Sequence, residues 1–193
     1  MDFSEMTVSQ FLSALASSAP TPGGGTAAAM AGAMGTSLLI MVAGMTKSHT
    51  NSEQERAELA AARTALGPLA DRLRALATDD SAAYDTVTAA YRLPKATGEE
   101  KVARSAAIQA ALQRATEVPL DTLQTCAEAL QHAAVVERHG NPSAGSDVGV
   151  AIGLLRAAAQ GAAANVRINL DGIKDAGLRA RLAAAADAAL GRR

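Results

Sequence analysis

The 193-residue chain has no tryptophan, two tyrosines, two phenylalanines and one cysteine. Sheets draw on Val, Ile, Thr and aromatic side chains, so this scarcity argues against strands, and the alanine that dominates the 49% apolar fraction is the best helix former. The single Cys126 excludes an internal disulfide or a CxxC site. Its flanks, Gln124-Thr125-Cys126-Ala127-Glu128, bring no base or cation to activate it, so it reads as a small core residue. Charge is also sparse. Eighteen basic and nineteen acidic residues leave a net −1, which disfavours both a disordered chain and a polycationic nucleic-acid binder. No basic n-region precedes an apolar run at the N-terminus, so a signal peptide is not expected and the expected location is cytoplasmic. The stretch Thr26 to Met45 is uncharged and long enough for a bilayer, yet Met1 to Pro22 supplies no Trp anchor and the stretch is mostly small residues. A soluble helix buried on all sides fits it better than a membrane span, with Ala28, Gly32 and Thr36, spaced by four, set against another helix.

What is present predicts an all-α, up-and-down bundle in a single domain, residues 1–193, with long kinked antiparallel helices. Thr7 with Gln10 forms a capping box for a short helix to about Ser17. Ser52 with Glu55 opens a second helix reaching Arg92, bent at Gly67-Pro68. A third runs from near Glu99 to Gly140 and is kinked or divided at Pro119. After the turn Gly140-Asn141-Pro142, Asp147 is placed to cap a helix through Leu170, and a last helix covers about Asp175 to Leu190.

Three segments carry polar chemistry that packing does not demand. In Pro20-Thr21-Pro22-Gly23-Gly24-Gly25-Thr26, three glycines open a helix, and their amides suit an anion or carbonyl oxygen; a tight interhelical connection explains them equally well. Neither a Walker A loop nor a strand-linked GxGxxG is present. On a helix, Asp80, Tyr84 and Tyr91 share a face, setting a carboxylate beside two rings, either as a site wall or as a partly solvated acid among core tyrosines. Asn165 and Asn169 share a face of an apolar helix and need partners, from backbone or ligand, unless they face solvent. The histidines His49, His132 and His139 have no ligand spacing, so no metal is expected, and no GxSxG marks a nucleophile.

Taken in order, Phe11 to Ser17, Pro20 to Ala28, Met41-Val42-Ala43, Asp80 to Lys95, Ala115 to Leu120, Gly140 to Asp147 and Asn165 to Leu170 resemble the cyclodeaminase/cyclohydrolase family of folate enzymes. The resemblance spans nearly the whole chain. It implies a helical homodimer acting on a one-carbon unit of a tetrahydrofolate, polyglutamylated, with no permanently bound cofactor. The implied reaction is formimidoyltetrahydrofolate cyclodeaminase, which closes the formimino group to methenyl with loss of ammonia. The alternative is methenyltetrahydrofolate cyclohydrolase, which opens methenyl to formyl; a non-catalytic helical dimer scaffold is a second alternative. On this resemblance Asp80 is the first choice for the acid/base and Asp147 the second. Substrate contacts fall to Pro22, Gly23, Gly24, Gly25, Tyr84, Ser146, Asn165 and Asn169, with Arg92 and Lys95, joined by Lys47 and His49, meeting the anionic glutamates. A β-branched residue at Gly24 is then expected to block folate binding by closing the approach to its backbone.

Overall fold

The computed structural model describes residues 3–45 and 52–191, and among these it contains helices and no strand. A 3-10 turn at Phe3–Glu5 leads to α1 (Val8–Leu15), followed by α2 (Gly24–Gly44), α3 (Glu53–Tyr91), α4 (Gly98–His139), α5 (Gly145–Leu170) and α6 (Ala176–Ala189). Both expected capping boxes are formed, and a third, Thr97 with Glu100, starts α4. Each satisfies two orphan amides reciprocally, typically at about 1 kcal/mol.

Helices α2 to α5 form an up-down-up-down bundle. The N-terminal end of α2 meets the C-terminal half of α3 through Thr26 and Asp80, while Gly44 at its other end approaches Arg63. Antiparallel α3 and α4 are laced by Arg72 to Asp121, by Arg114 to Asp79 (3.2 Å), and by the Arg104 guanidinium donating to the Tyr91 carbonyl (3.0 Å). Helix α6 packs across α4 and α5. The fully buried Leu39, Leu66, Leu73, Leu76, Leu123 and Leu155 form the core, each contributing on the order of 1.5–3 kcal/mol by burial.

Small residues set the interhelical distances. A Cβ on Gly32 would sit 2.8 Å from the Cys126 sulfur, and one on Gly35 would sit 2.8 Å from the Ala151 carbonyl oxygen, so α2 packs against α4 and α5 through missing side chains. Cys126 is buried, and desolvation pushes its thiol up to about 12, which makes it the inert core residue the sequence suggested.

Three local expectations are corrected. Helix α4 is continuous through Pro119 rather than divided. Asp147 does not cap α5: that helix begins at Gly145, two residues earlier, with Ala144 as N-cap, and Asp147 lies in its first turn. Helix α2 is not enclosed on all sides, because Met34, Met41 and Met45 leave an apolar outer face exposed while Thr26, Thr36 and Leu39 face inward. By length and hydropathy alone α2 is capable of crossing a membrane. In the bundle it lies between α3 and α5, with both of its inward threonine side chains hydrogen-bonded.

Candidate active site

Four helices converge on a cleft of about 300 Å³ at the end of the bundle where α2 begins. Its walls are Pro20, Thr21 and Gly23 to Gly25 of the entry segment, Asp80, Tyr84 and Val87 of α3, Leu112 and Ala115 of α4, and Asn165 and Asn169 of α5. Among the described residues, the ionisable side chains lining it are those of Asp80 and Tyr84. The Thr21–Pro22 peptide bond is cis, and Pro22 itself is buried behind the wall.

The glycine segment acquires its role from α3. Helix α2 has Gly23 as N-cap and no capping side chain of its own, so its first amides lack intrahelical partners. Asp80 supplies the missing acceptor from a distant part of the chain: the Thr26 hydroxyl donates to its Oδ2 at 2.9 Å, and the Thr26 backbone N–H also donates to its carboxylate. The anion expected at this helix start is therefore the protein's own carboxylate. Gly25 makes the approach feasible, since a Cβ there would lie 2.2 Å from Asp80 Oδ1. No glycine of the segment has a left-handed φ, and a Cβ on Gly24 would meet only the Asn165 amide nitrogen at 3.9 Å. The steric demand made by the protein's own atoms thus sits at Gly25, while Gly24 borders the open cleft.

Two opposing effects act on Asp80. Burial raises its carboxyl above the ordinary carboxylate range, and the hydrogen bonds from Thr26 pull it back in part. A carboxylate in that position is able to exchange a proton nearer neutrality than a solvated aspartate. Its neighbour Asp79 pairs with Arg114 of α4 (3.2 Å) and with Arg72 of its own helix (3.7 Å), and it does not line the cleft. Only one of the two adjacent acids belongs to the cleft.

The asparagines obtain backbone partners. Asn169 donates to the Ala115 carbonyl at 2.6 Å, and that oxygen needs a donor because Pro119, four residues on, has no N–H to give it. Asn165 donates to the Gly161 carbonyl at 2.9 Å. A carbonyl partner only accepts, so both amide NH2 groups point at backbone and both Oδ1 atoms remain acceptors. Tyr84 is half-exposed at the rim, offering a ring face.

The other sequence-nominated residues lie elsewhere. Tyr91, one helical stretch beyond Tyr84, is covered by the Arg104 guanidinium 5.7 Å from its ring centre and does not line the cleft. Arg92 and Lys95 are exposed past the C-terminal end of α3. Ser146 and Asp147 begin α5, whereas Asn165 is near its end, roughly 27 Å from Asp147 at 1.5 Å per residue. Lys47 and His49 lie outside the described residues. Thr26 and Ser81, which received no role from the sequence, prove to be part of the Asp80 environment. The signal was available: a threonine directly after the third glycine, and a serine directly after the acid.

A second, larger groove of about 550 Å³ runs along the outer face of α2 between Met30, Met34, Met41 and Leu154. Its lining among the described residues is apolar apart from Ser37 and Arg74. Among the described residues no group of three or more His, Cys, Asp or Glu side chains is placed to hold a metal ion.

Comparison with known proteins matches residues 7–188 to the family model described as formiminotransferase-cyclodeaminase. A methenyltetrahydrofolate cyclohydrolase of Methylorubrum extorquens is 44% identical over 88% of this chain and 81% of its own length. The formimidoyltransferase-cyclodeaminase of Gallus gallus is 34% identical over 86% of this chain, which corresponds to 30% of that longer protein. The crystal structure of a formiminotetrahydrofolate cyclodeaminase from Thermotoga maritima superposes with a TM-score of 0.86 at 27% identity, covering 97% of this chain and 90% of that one.

Proposed function

Because the chain belongs to the formiminotransferase-cyclodeaminase family, we propose that it is a folate one-carbon enzyme whose reaction is methenyltetrahydrofolate cyclohydrolysis, carried out in the cleft beside Asp80. One observation carries the reading. Among the described residues the cleft carries one carboxylate, the partly buried Asp80 against a helix start, which is matched to a cationic amidinium carbon held between two ring nitrogens. The sequence alone leaned towards the cyclodeaminase. The relative at 44% identity, which is similar in extent to this chain, moves the proposal to the cyclohydrolase.

In this reading water adds to the methenyl carbon as Asp80 accepts one of its protons. The tetrahedral carbon then collapses: the bond to one ring nitrogen breaks, that nitrogen receives the proton from Asp80, and the remaining hydroxyl proton leaves to solvent as the formyl carbonyl forms. The Oδ1 atoms of Asn165 and Asn169 accept from the N–H groups of the pterin, and Tyr84 stacks on it. A volume of about 300 Å³ is at the small end for ligand pockets, enough for the heterocycle but not for the glutamate tail. The tail then runs outside, toward exposed Arg92 and Lys95. Nothing in this sequence of steps calls for a resident cofactor.

Cyclodeamination is the second reading, favoured by the name of the Thermotoga maritima structure. It passes through the same kind of tetrahedral carbon, with ammonia leaving instead. Supplying the purified protein with each folate separately tests both readings. The expected result is loss of methenyl absorbance well above the protein-free rate, with no ammonia released from the formimino compound. Ammonia release with rising methenyl absorbance establishes the second reading, and turnover of neither overturns the enzyme assignment.

The exposed methionine face of α2 is proposed as the surface through which the chain dimerises, since an apolar helix face of this length is costly to leave in water. Light scattering at micromolar concentration is expected to give twice the 19.5 kDa chain mass. A stable monomer there removes the dimer.

A further inference from the structure

Thr26 and Ser81 are both nearly or wholly buried, at 0% and 7% exposure, and whereas the buried Thr36, Thr116, Thr122 and Thr125 donate back to carbonyls of their own helices, these two hydroxyls face each other across α2 and α3. Their oxygens lie 3.1 Å apart, and Thr26 Oγ1 is 2.9 Å from Asp80 Oδ2. The proton arrangement follows from the chemistry. An ionised carboxylate only accepts, so the Thr26 hydroxyl spends its one hydrogen on Asp80, and the Ser81 hydroxyl must then donate to Thr26. The result is a directed chain, Ser81 to Thr26 to Asp80, in which each bond polarises the next. It ends blind in the core, with Ser81 as its last member, so it holds a charge in place rather than conducting a proton.

We propose that Thr26 and Ser81 are positioning residues that fix the orientation and the protonation equilibrium of Asp80. The Thr26 hydroxyl holds Oδ2, so that Oδ1 is the oxygen that takes up and releases the proton. This deepens the reading of Asp80 as the acid/base and rests on it for its consequence in turnover. The geometric claim, that these two hydroxyls set the titration of Asp80, stands independently of that reading. Packing alone does not account for the pair. A valine in place of Thr26 and an alanine in place of Ser81 would fill the core without a hydroxyl to satisfy.

The test is a carboxyl-carbon NMR titration of the 13C-aspartate-labelled full chain, with the Asp80 signal assigned by its loss in Asp80→Asn. Thr26→Val removes the donor to the carboxylate and is expected to move the Asp80 midpoint up by about one pH unit, since the charged form loses a hydrogen bond. Thr26→Ser is expected to restore the parent midpoint. Ser81→Ala weakens the Thr26 donor and should shift it in the same direction by less. The acid limb of the kcat/KM profile is expected to move with the NMR midpoint in each variant. An Asp80 midpoint unmoved in Thr26→Val, or not restored by Thr26→Ser, overturns the proposal. Should Thr26→Val fail to fold, Ser81→Ala leaves the α2 N-terminus intact, and an unmoved midpoint there is equally decisive. If the NMR midpoint moves and the rate profile does not, the positioning holds and it is the catalytic reading of Asp80 that fails.

Discussion

Asp80→Asn is expected to lower kcat on the preferred folate by roughly two to four orders of magnitude, with a much smaller change in KM. The amide retains the size of the carboxyl group, and its Oδ1 is still able to accept the Thr26 hydroxyl, so the cleft keeps its shape while losing the group that takes the proton. The pH profile supplies a second readout. As a base Asp80 works in its ionised form, so the rate should climb with pH through a midpoint that burial sets above the ordinary carboxylate value, and in Asp80→Asn that limb should vanish. Asp147→Asn is the comparison. Its place in the first turn of α5, far along that helix from Asn165, predicts a much smaller loss of turnover than at Asp80. Near-parent turnover of Asp80→Asn on both folates, with Asp147→Asn inactive, reverses the assignment of the two acids.

The helices were legible because their signals are local. Thr7-Gln10 and Ser52-Glu55 announce helix starts within four residues, and the alanine-rich composition with almost no aromatics excludes sheet. The cleft was legible in part. Asp80, Tyr84, Asn165, Asn169 and the triple glycine were all nominated, and the fold brings them together. What sequence reasoning missed depends on contacts between residues distant in the chain. Asp80 and Thr26 are 54 positions apart, so the identification of a tertiary capping acceptor for α2 required α2 and α3 to be laid antiparallel at the right height. The Asn169 bond to Ala115 is similar, because the proline that frees the carbonyl is on α4 and the amide that satisfies it is on α5. The close approach of Gly25 to Asp80 was hidden for the same reason. Spacing shows three permissive residues in a row but not which of them faces a carboxylate.

Gly25→Ala is expected to disable the cleft almost as completely as loss of the carboxylate itself. The added Cβ would stand 2.2 Å from Oδ1, 2.6 Å from Cγ and 2.8 Å from Oδ2 of Asp80, distances that no real methyl group adopts. Asp80 has a short side chain on a long, well-packed helix, so it has little freedom to move aside. Either the carboxylate rotates away from the Thr26 donors, or the N-terminal turn of α2 lifts from α3 and opens the wall of the cleft. A displacement of about 1 Å of a reacting group already costs on the order of 100-fold in rate, so kcat should fall by at least that factor. Stability should drop by about 1–3 kcal/mol from overpacking and the strained hydrogen bonds, measurable by urea unfolding. Gly24→Ala is the control, because its Cβ meets nothing closer than the Asn165 nitrogen at 3.9 Å, and it should turn over within a few-fold of the parent. The double variant Gly25→Ala with Asp80→Asn separates the steric cause from any general damage. If the methyl acts through the carboxylate, the double variant should be about as slow as Asp80→Asn alone rather than slower by the product of the two losses. Parent-like turnover of Gly25→Ala, or multiplicative losses in the double variant, shows that the contact between the α2 entry and Asp80 does not govern the chemistry.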